Sequence, residues 1–227
     1  MVEVIAVLDI RGGVAVAGKS GRREEYKPLK TVFSESSNPV EIAASLPYPR
    51  LYVADLDGIT SSRPDIELIK SLSKLKDLMV DLGVRGADDL NFFTNMDCDI
   101  VLGTETVTGM EVITEAIQRF GGGRVIVSID MKNGAVLSSF LPSHPVDAYE
   151  VLAAAGVGRV IFLDISSVGT GKSDYLFIKD LNKAGEILLG GGITAEDFGW
   201  LKGSPVDGVL VGTAMHRGEL DVRQSGS

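Results

Sequence analysis

Short apolar runs rich in Val, Ile and Leu recur along the chain, at residues 2–8, 51–54, 78–80, 100–102, 125–129, 160–163, 187–189 and 208–211. Such nearly continuous runs suit strands covered on both faces, as in a parallel sheet. The stretches between them are amphipathic and read as helices. Ile66, Ile69, Leu72 and Leu75 share one helical face after a Pro64-Asp65 start, and Val112, Ile113, Ala116 and Phe120 share another. Eight strands alternating with helices predict an α/β fold. Over 227 residues a closed barrel accommodates them better than an open doubly wound sheet, although alternation alone leaves the open sheet available.

Internal repetition favours closure. At a constant offset of 109, Asp55 matches Asp164, Asp65 matches Asp174, Ile69-Lys70 match Ile178-Lys179, and Leu72 matches Leu181. The same offset pairs Gly83 with Gly192 and Gly103-Thr104 with Gly212-Thr213. Earlier, VIAVLDIRGG (4–13) resembles VIVSIDMKNG (125–134), which sets Asp9 over Asp130 at an offset of 121 and implies a first loop about twelve residues longer. The prediction is one domain over residues 1–227: a single (β/α)8 TIM barrel with twofold internal duplication of a (β/α)4 half-barrel, its halves at about 1–120 and 121–220.

Bulk properties narrow the partners. A net charge of −9, from 22 Lys+Arg against 31 Asp+Glu, argues against nucleic acid, which needs a cationic face. A phosphorylated small molecule stays compatible, because clustered backbone N–H groups hold an anion even in an acidic protein. The single Cys98 lies between Asp97 and Asp99, which disfavour a thiolate, so a buried, inert thiol is expected. No run is long enough for a membrane span, and the N-terminus opens on a strand pattern without signal-peptide features, so a cytoplasmic monomer or small homo-oligomer is expected. The polar loop at 17–38 (GKSGRREEYK) reads first as solvated surface; alternatively it is a mobile lid offering Lys19, Arg22 and Arg23 to a phosphate. Residues 222–227 read as a frayed tail.

Barrel active sites sit at the C-terminal strand ends. There LLGGGIT (188–194) and VLVGTAM (209–215) close successive strands, so Gly191, Gly192, Gly212 and Thr213 are the expected phosphate binders. Gly83, Gly103 and Thr104 are their counterparts in the first half. There, however, Asp81-Leu82 replace Gly190-Gly191 and Glu105 follows, which predicts a weakened or repurposed second phosphate site. Asp9 and Asp130 suit a general base and a general acid, although a lone Asp at a strand end more often caps a turn. Clustered carboxylates could instead hold Mg2+ with a substrate phosphate; nothing calls for a resident metal or cofactor. Asp55 and Asp164, also at strand ends, are candidate substrate contacts, as is Lys19. His144 reads as framing a helix start, His216 as exposed near the glycine turn, and Trp200 as packing.

Together these motifs resemble the phosphoribosyl-sugar barrels of histidine biosynthesis, the ProFAR isomerase and the cyclase subunit of imidazole glycerol phosphate synthase. The resemblance runs through AVLDIRGG with Asp9, VADLDG (53–58), LGVRGADD with Arg85, VSIDMKNG with Asp130, GGGIT and VGTA. It implies two phosphate sites and an acid–base pair that opens a ribose ring and shifts a proton in an Amadori rearrangement. It also adds Arg85 and Thr170 as substrate contacts. In DISSVGTGKSD (164–174), however, Val168 stands where the resemblance implies Asp, and Leu163 where it implies a hydroxyl side chain. The chain is most similar to a divergent isomerase-related branch of archaea and some methylotrophs. Asp81, Glu105 and Val168 motivate an alternative to an isomerase, a lyase or condensing enzyme of one-carbon cofactor synthesis on the same scaffold, and a third reading is a non-catalytic phosphate-ligand-binding protein.

Overall fold

All eight apolar runs are strands, and they lie side by side in parallel. The computed structural model describes residues 2–172 and 174–220, so the predicted frayed tail lies outside the described residues. The barrel strands are β1 (Glu3–Arg11), β2 (Arg50–Asp55), β3 (Asp77–Asp81), β4 (Asp99–Gly103), β5 (Val125–Lys132), β6 (Arg159–Asp164), β7 (Glu186–Gly190) and β8 (Gly208–Val211). Each pairs with the next, and β8 returns to β1 in parallel register from Glu3↔Gly208 to Ala6↔Val211, which closes the sheet. Closure leaves no sheet edge, and the open-sheet alternative falls away.

Alternate residues point inward and fill the barrel in layers. Each strand gives an inward residue to one apolar cluster, from Ile5 and Tyr52 round to Leu188 and Leu210. The opposite strand faces meet the surrounding helices in a larger core. The polar residues that begin several strands form the barrel floor. There Arg50 reaches Glu3 at 2.6 Å and Glu186 at 3.4 Å, and Arg159 reaches both Glu186 and Asp99 at 2.6 Å.

The connections follow their capping chemistry. Helix α1 (Pro39–Ser45) starts at Asn38, whose side chain accepts from Val40 N and Glu41 N. Helix α2 (Leu56–Ser61) is capped by Asp55, and α3 (Ile66–Leu72) by Asp65; Leu75 falls beyond it, partly exposed. Helices α4 (Met110–Phe120) and α5 (Pro145–Ala154) flank β5, and α5 begins after His144 as expected. Two predicted helices are instead 3-10 segments, Ala87–Phe93 and Leu176–Asp180. At about 2 Å rise per residue, such a segment spans the return along a five-residue strand with fewer residues than an α-helix needs. Short helices α6 (Phe198–Leu201) and α7 (Thr213–His216) complete the ring.

The floor predicts a stability effect far from the mouth. Arg159→Ala leaves Asp99 and half-buried Glu186 short of a cation, and should lower unfolding free energy by about 2–3 kcal/mol in urea titration, without changing ligand affinity.

Candidate active site

The C-terminal strand ends surround a cavity of about 770 Å3. In β1 the inward phase runs Ile5, Val7, Asp9, so the Asp9 carboxylate faces the cavity, half-buried. It takes no hydrogen bond from any described residue. Burial pushes its pKa up to about 6, against the opposing pull of Arg23. The loop from Gly18 passes directly over it: a Cβ on Gly18 would stand 3.0 Å from Asp9 Oδ2 and 2.6 Å from Val168 Cγ1.

Asp130 occupies the corresponding phase of β5, but in a different setting. It is 2% exposed; Ser128 Oγ donates to Oδ1 at 2.7 Å and Glu105 N to Oδ2 at 3.2 Å. Burial, followed by the charges of Glu105 and Asp81, raises its pKa well above the ordinary carboxylate range. Of the two, Asp130 therefore holds its proton more strongly and Asp9 ionises more readily.

Asp81, on the inward phase of β3, lies between these environments. Its Oδ1 accepts from Gly83 N at 2.8 Å, and burial pushes its pKa up to about 7. The carboxylate thus takes a backbone donor that the first-half glycine turn would otherwise offer to an anion. A Cβ on Gly103 would lie 2.8 Å from Asp130 Oδ2 and 3.3 Å from Asp81 Oδ2, so only glycine fits between these acids. Tyr52 projects from β2 beneath them; burial, then the charges of Asp81 and Asp130, suppresses its ionisation.

Across the cavity the wall is backbone. Gly191 (φ +101°) and Gly192 (φ +73°) hold conformations that side chains resist, and a Cβ on either would strike the backbone of Asp164 or Lys172. Gly212, Thr213 and the exposed Thr170 line the same side. The Tyr175 hydroxyl donates to the carbonyls of Gly190 and Gly191, which pins the turn.

The polar first loop is not a free surface segment. Val14–Ala17 pairs antiparallel with β1 and with Lys27–Pro28, and Ser20 N donates to Val168 O at 2.8 Å. Arg23 crosses the mouth to pair with Glu105. Its polar residues are neutralised locally: Lys19 and Arg22 reach Glu25 at 2.7 and 2.9 Å. The solvated reading holds for Lys19, Arg22 and Glu24, which are exposed, but not for Arg23, which turns in to Glu105. Lys19 lines the cavity from an exposed position.

Several candidates lie elsewhere. Asp55 Oδ1 accepts from Asp57 N and Gly58 N, and Oδ2 from Asp65 N at 2.6 Å, so its carboxylate is spent on helix starts. Asp164 does likewise for Ser166 and Ser167. The Arg85 guanidinium donates to the carbonyls of Gly83 and Ile59. Gly83 makes room for the backbone of Ile59, and Thr104 Oγ1 accepts from Asp130 N at 2.9 Å. These five, with Gly103, do not border the cavity.

His216 is buried, contrary to the exposure expected. Nε2 meets Val7 O at 2.8 Å and Nδ1 meets Thr31 Oγ1 at 3.0 Å, because residues 31–33 of the first loop cover it. Trp200 is substantially exposed and bonds Asp197 rather than packing inward. Cys98 is buried, and burial pushes its thiol up to about 11, so it is inert as expected. Among the described residues no helix is long and apolar enough to cross a membrane. Sequence reading missed Tyr52 and Tyr26; the signal for Tyr52 was its place in the inward phase of β2, two residues before Ala54.

This arrangement has known relatives. The family model for histidine biosynthesis protein matches residues 3–221. The chain belongs to that family. An uncharacterized protein of Methanocaldococcus jannaschii is 35% identical, over 98% of this chain and 96% of its own length. A protein of Dehalococcoides mccartyi, named as a phosphoribosyl imidazole-4-carboxamide isomerase, is 32% identical over 98% of both chains. A similarly named isomerase of Natronomonas pharaonis is 28% identical over 98% of this chain and 96% of its own. Within the histidine biosynthesis family frame, Asp9, Asp130 and the glycine turns occupy the strand ends of one cavity.

The raised carboxylates carry a stability cost. A carboxyl whose pKa rises on folding binds more protons folded than unfolded, so stability falls as pH climbs from about 4 toward 7 and stays reduced above. Asp81→Asn keeps an acceptor for Gly83 N and removes that cost. Thermal and urea unfolding should show it more stable at pH 8 by on the order of 2–4 kcal/mol, with the gain shrinking toward zero near pH 4.

Proposed function

We propose that the protein is an isomerase acting on a phosphorylated sugar or ribotide by proton transfer, related in chemistry to the ProFAR isomerases. The observation that carries this reading is the unequal carboxyl pair on one cavity: Asp9, which takes no hydrogen bond from any described residue and whose pKa is pushed up to about 6, and Asp130, buried with its pKa raised well above the ordinary carboxylate range. In this reading Asp130 protonates the ring oxygen of a ribosylamine, the C1–O bond breaks, and the nitrogen lone pair completes a C1=N bond. Asp9 then takes the proton from C2, and the resulting enol-amine becomes the aminoketose. No electrons leave the substrate, so no redox partner is required. Gly191, Gly192, Gly212 and Thr213 hold the phosphate, with Thr170 and Lys19 near it.

A second reading keeps the acid–base pair but changes the reaction, to a lyase or condensing step on a monophosphate. It is favoured by Asp81 occupying Gly83 N, and by Leu163 and Val168 lining the cavity.

Complementation of a histidine-requiring strain that lacks the isomerase tests the second reading: robust growth overturns it. With a turned-over substrate in hand, Asp9→Asn and Asp130→Asn should each lower kcat by at least about a hundredfold. Turnover at the wild-type rate by both variants would falsify the acid–base assignment. The wild-type kcat/KM should rise with pH through about 6 as Asp9 loses its proton, and Asp9→Asn should abolish that limb.

A further inference from the structure

The cavity is chemically lopsided. On the β7–β8 side it offers glycine backbone, whereas on the β3–β4 side it offers Asp81, Glu105 and the buried Asp130. The Gly83 N–H is already taken by Asp81 Oδ1 at 2.8 Å. Arg23, which crosses this end, is paired with Glu105. A second phosphate here would meet several carboxyl groups with little positive charge to offset them.

Tyr52 points independently to a ligand. It is 3% exposed and lines the cavity, yet its hydroxyl makes no hydrogen bond to any described residue. A hydroxyl that opens onto a cavity with no partner among the described residues is commonly completed by ligand or water.

We propose that the β3–β4 end of the cavity binds the amino-bearing end of a sugar or ribotide monophosphate, with Asp81 and Glu105 accepting from the amine and the Tyr52 hydroxyl completing its shell. This rests on the reading that phosphate binds the β7–β8 glycine turns, and it narrows the substrate class to aminated monophosphates. An amine brings N–H donors to acceptor-only carboxylates, and charge-assisted bonds of this kind are among the stronger ones in proteins. Asp81 has a second role: with its Oδ1 on Gly83 N it bars the anion that this turn would otherwise bind, which excludes bisphosphates.

Calorimetric titration of the whole protein with four probes tests this: inorganic phosphate, glucose 6-phosphate, glucosamine 6-phosphate and glucose 1,6-bisphosphate. The amino sugar should bind about tenfold more tightly than glucose 6-phosphate, and the bisphosphate no more tightly than the monophosphate. Asp81→Asn and Glu105→Gln should each cut the amino preference to about twofold or less while leaving inorganic phosphate affinity unchanged. Tyr52→Phe should reduce it partially. Glu105 is partly exposed at the mouth, so its variant carries the test if Asp81→Asn misfolds. Phosphate binding with equal affinity for the amino and hydroxyl sugars overturns this inference alone, as does a tighter-binding bisphosphate. A protein that binds none of the phosphates overturns the phosphate reading and this inference with it.

Discussion

Parallel pairing of β8 with β1 is the constraint on which the rest of the molecule depends, because a sheet without edges fixes which side chains must share its interior. The middle layer can be apolar and is. At the two ends inward positions meet polar groups, and the chain settles the two ends in opposite ways. At the floor, Arg50 and Arg159 stand among Glu3, Asp99 and Glu186 and each charge finds an opposite. At the mouth, carboxyl groups on β1, β3 and β5 converge and Arg23 reaches in among them.

The mouth therefore stores unfavourable electrostatics that the closed, well-filled barrel can tolerate. Desolvation relieves part of it by raising the pKa of Asp130 and of Asp81, so that charge is shed more readily there. That relief is also what makes the groups useful, since a carboxyl held near neutrality exchanges protons at working pH. The longer first loop completes the arrangement. It lays Gly18 close above Asp9, brings Arg23 to Glu105, and covers His216. Loop and strand ends make one enclosure rather than a site with a detached lid.

Much of this was legible in the sequence because strands buried on both faces leave unbroken apolar runs. What those runs could not reveal was their polar ends: Arg50, Arg159 and Glu186 look like loop residues until closure gathers them. At the mouth, the deciding variable was phase. Asp9, Asp81 and Asp130 fall two residues after an inward apolar or small residue (Val7, Met79 and Ser128) and point inward. Asp55 and Asp164 sit one residue past inward-phase Ala54 and Leu163, so the same residue type turns outward and caps a helix. A strand-end Asp cannot be assigned from position alone, but counting from the inward phase assigns all five. The burial of His216 had no comparable signal, because it depends on residues 31–33 returning from a loop whose composition reads as solvated.

Family membership fixes the scaffold but leaves the ligand to the cavity wall. The places where this chain departs from the motifs it resembles are not scattered. Asp81, Leu163 and Val168 all border the one cavity, together with Asp9 and Asp130. These three positions border the cavity from different sides, and one of them is a buried acid that burdens folding, which suits a changed ligand better than a gain in stability. The acid–base pair and the glycine turns are present around them, so the chemistry of proton transfer and the grip on one phosphate are compatible with a new far end. In the proposed reading Asp9 and Asp130 move the protons, and the residues between them choose the ligand.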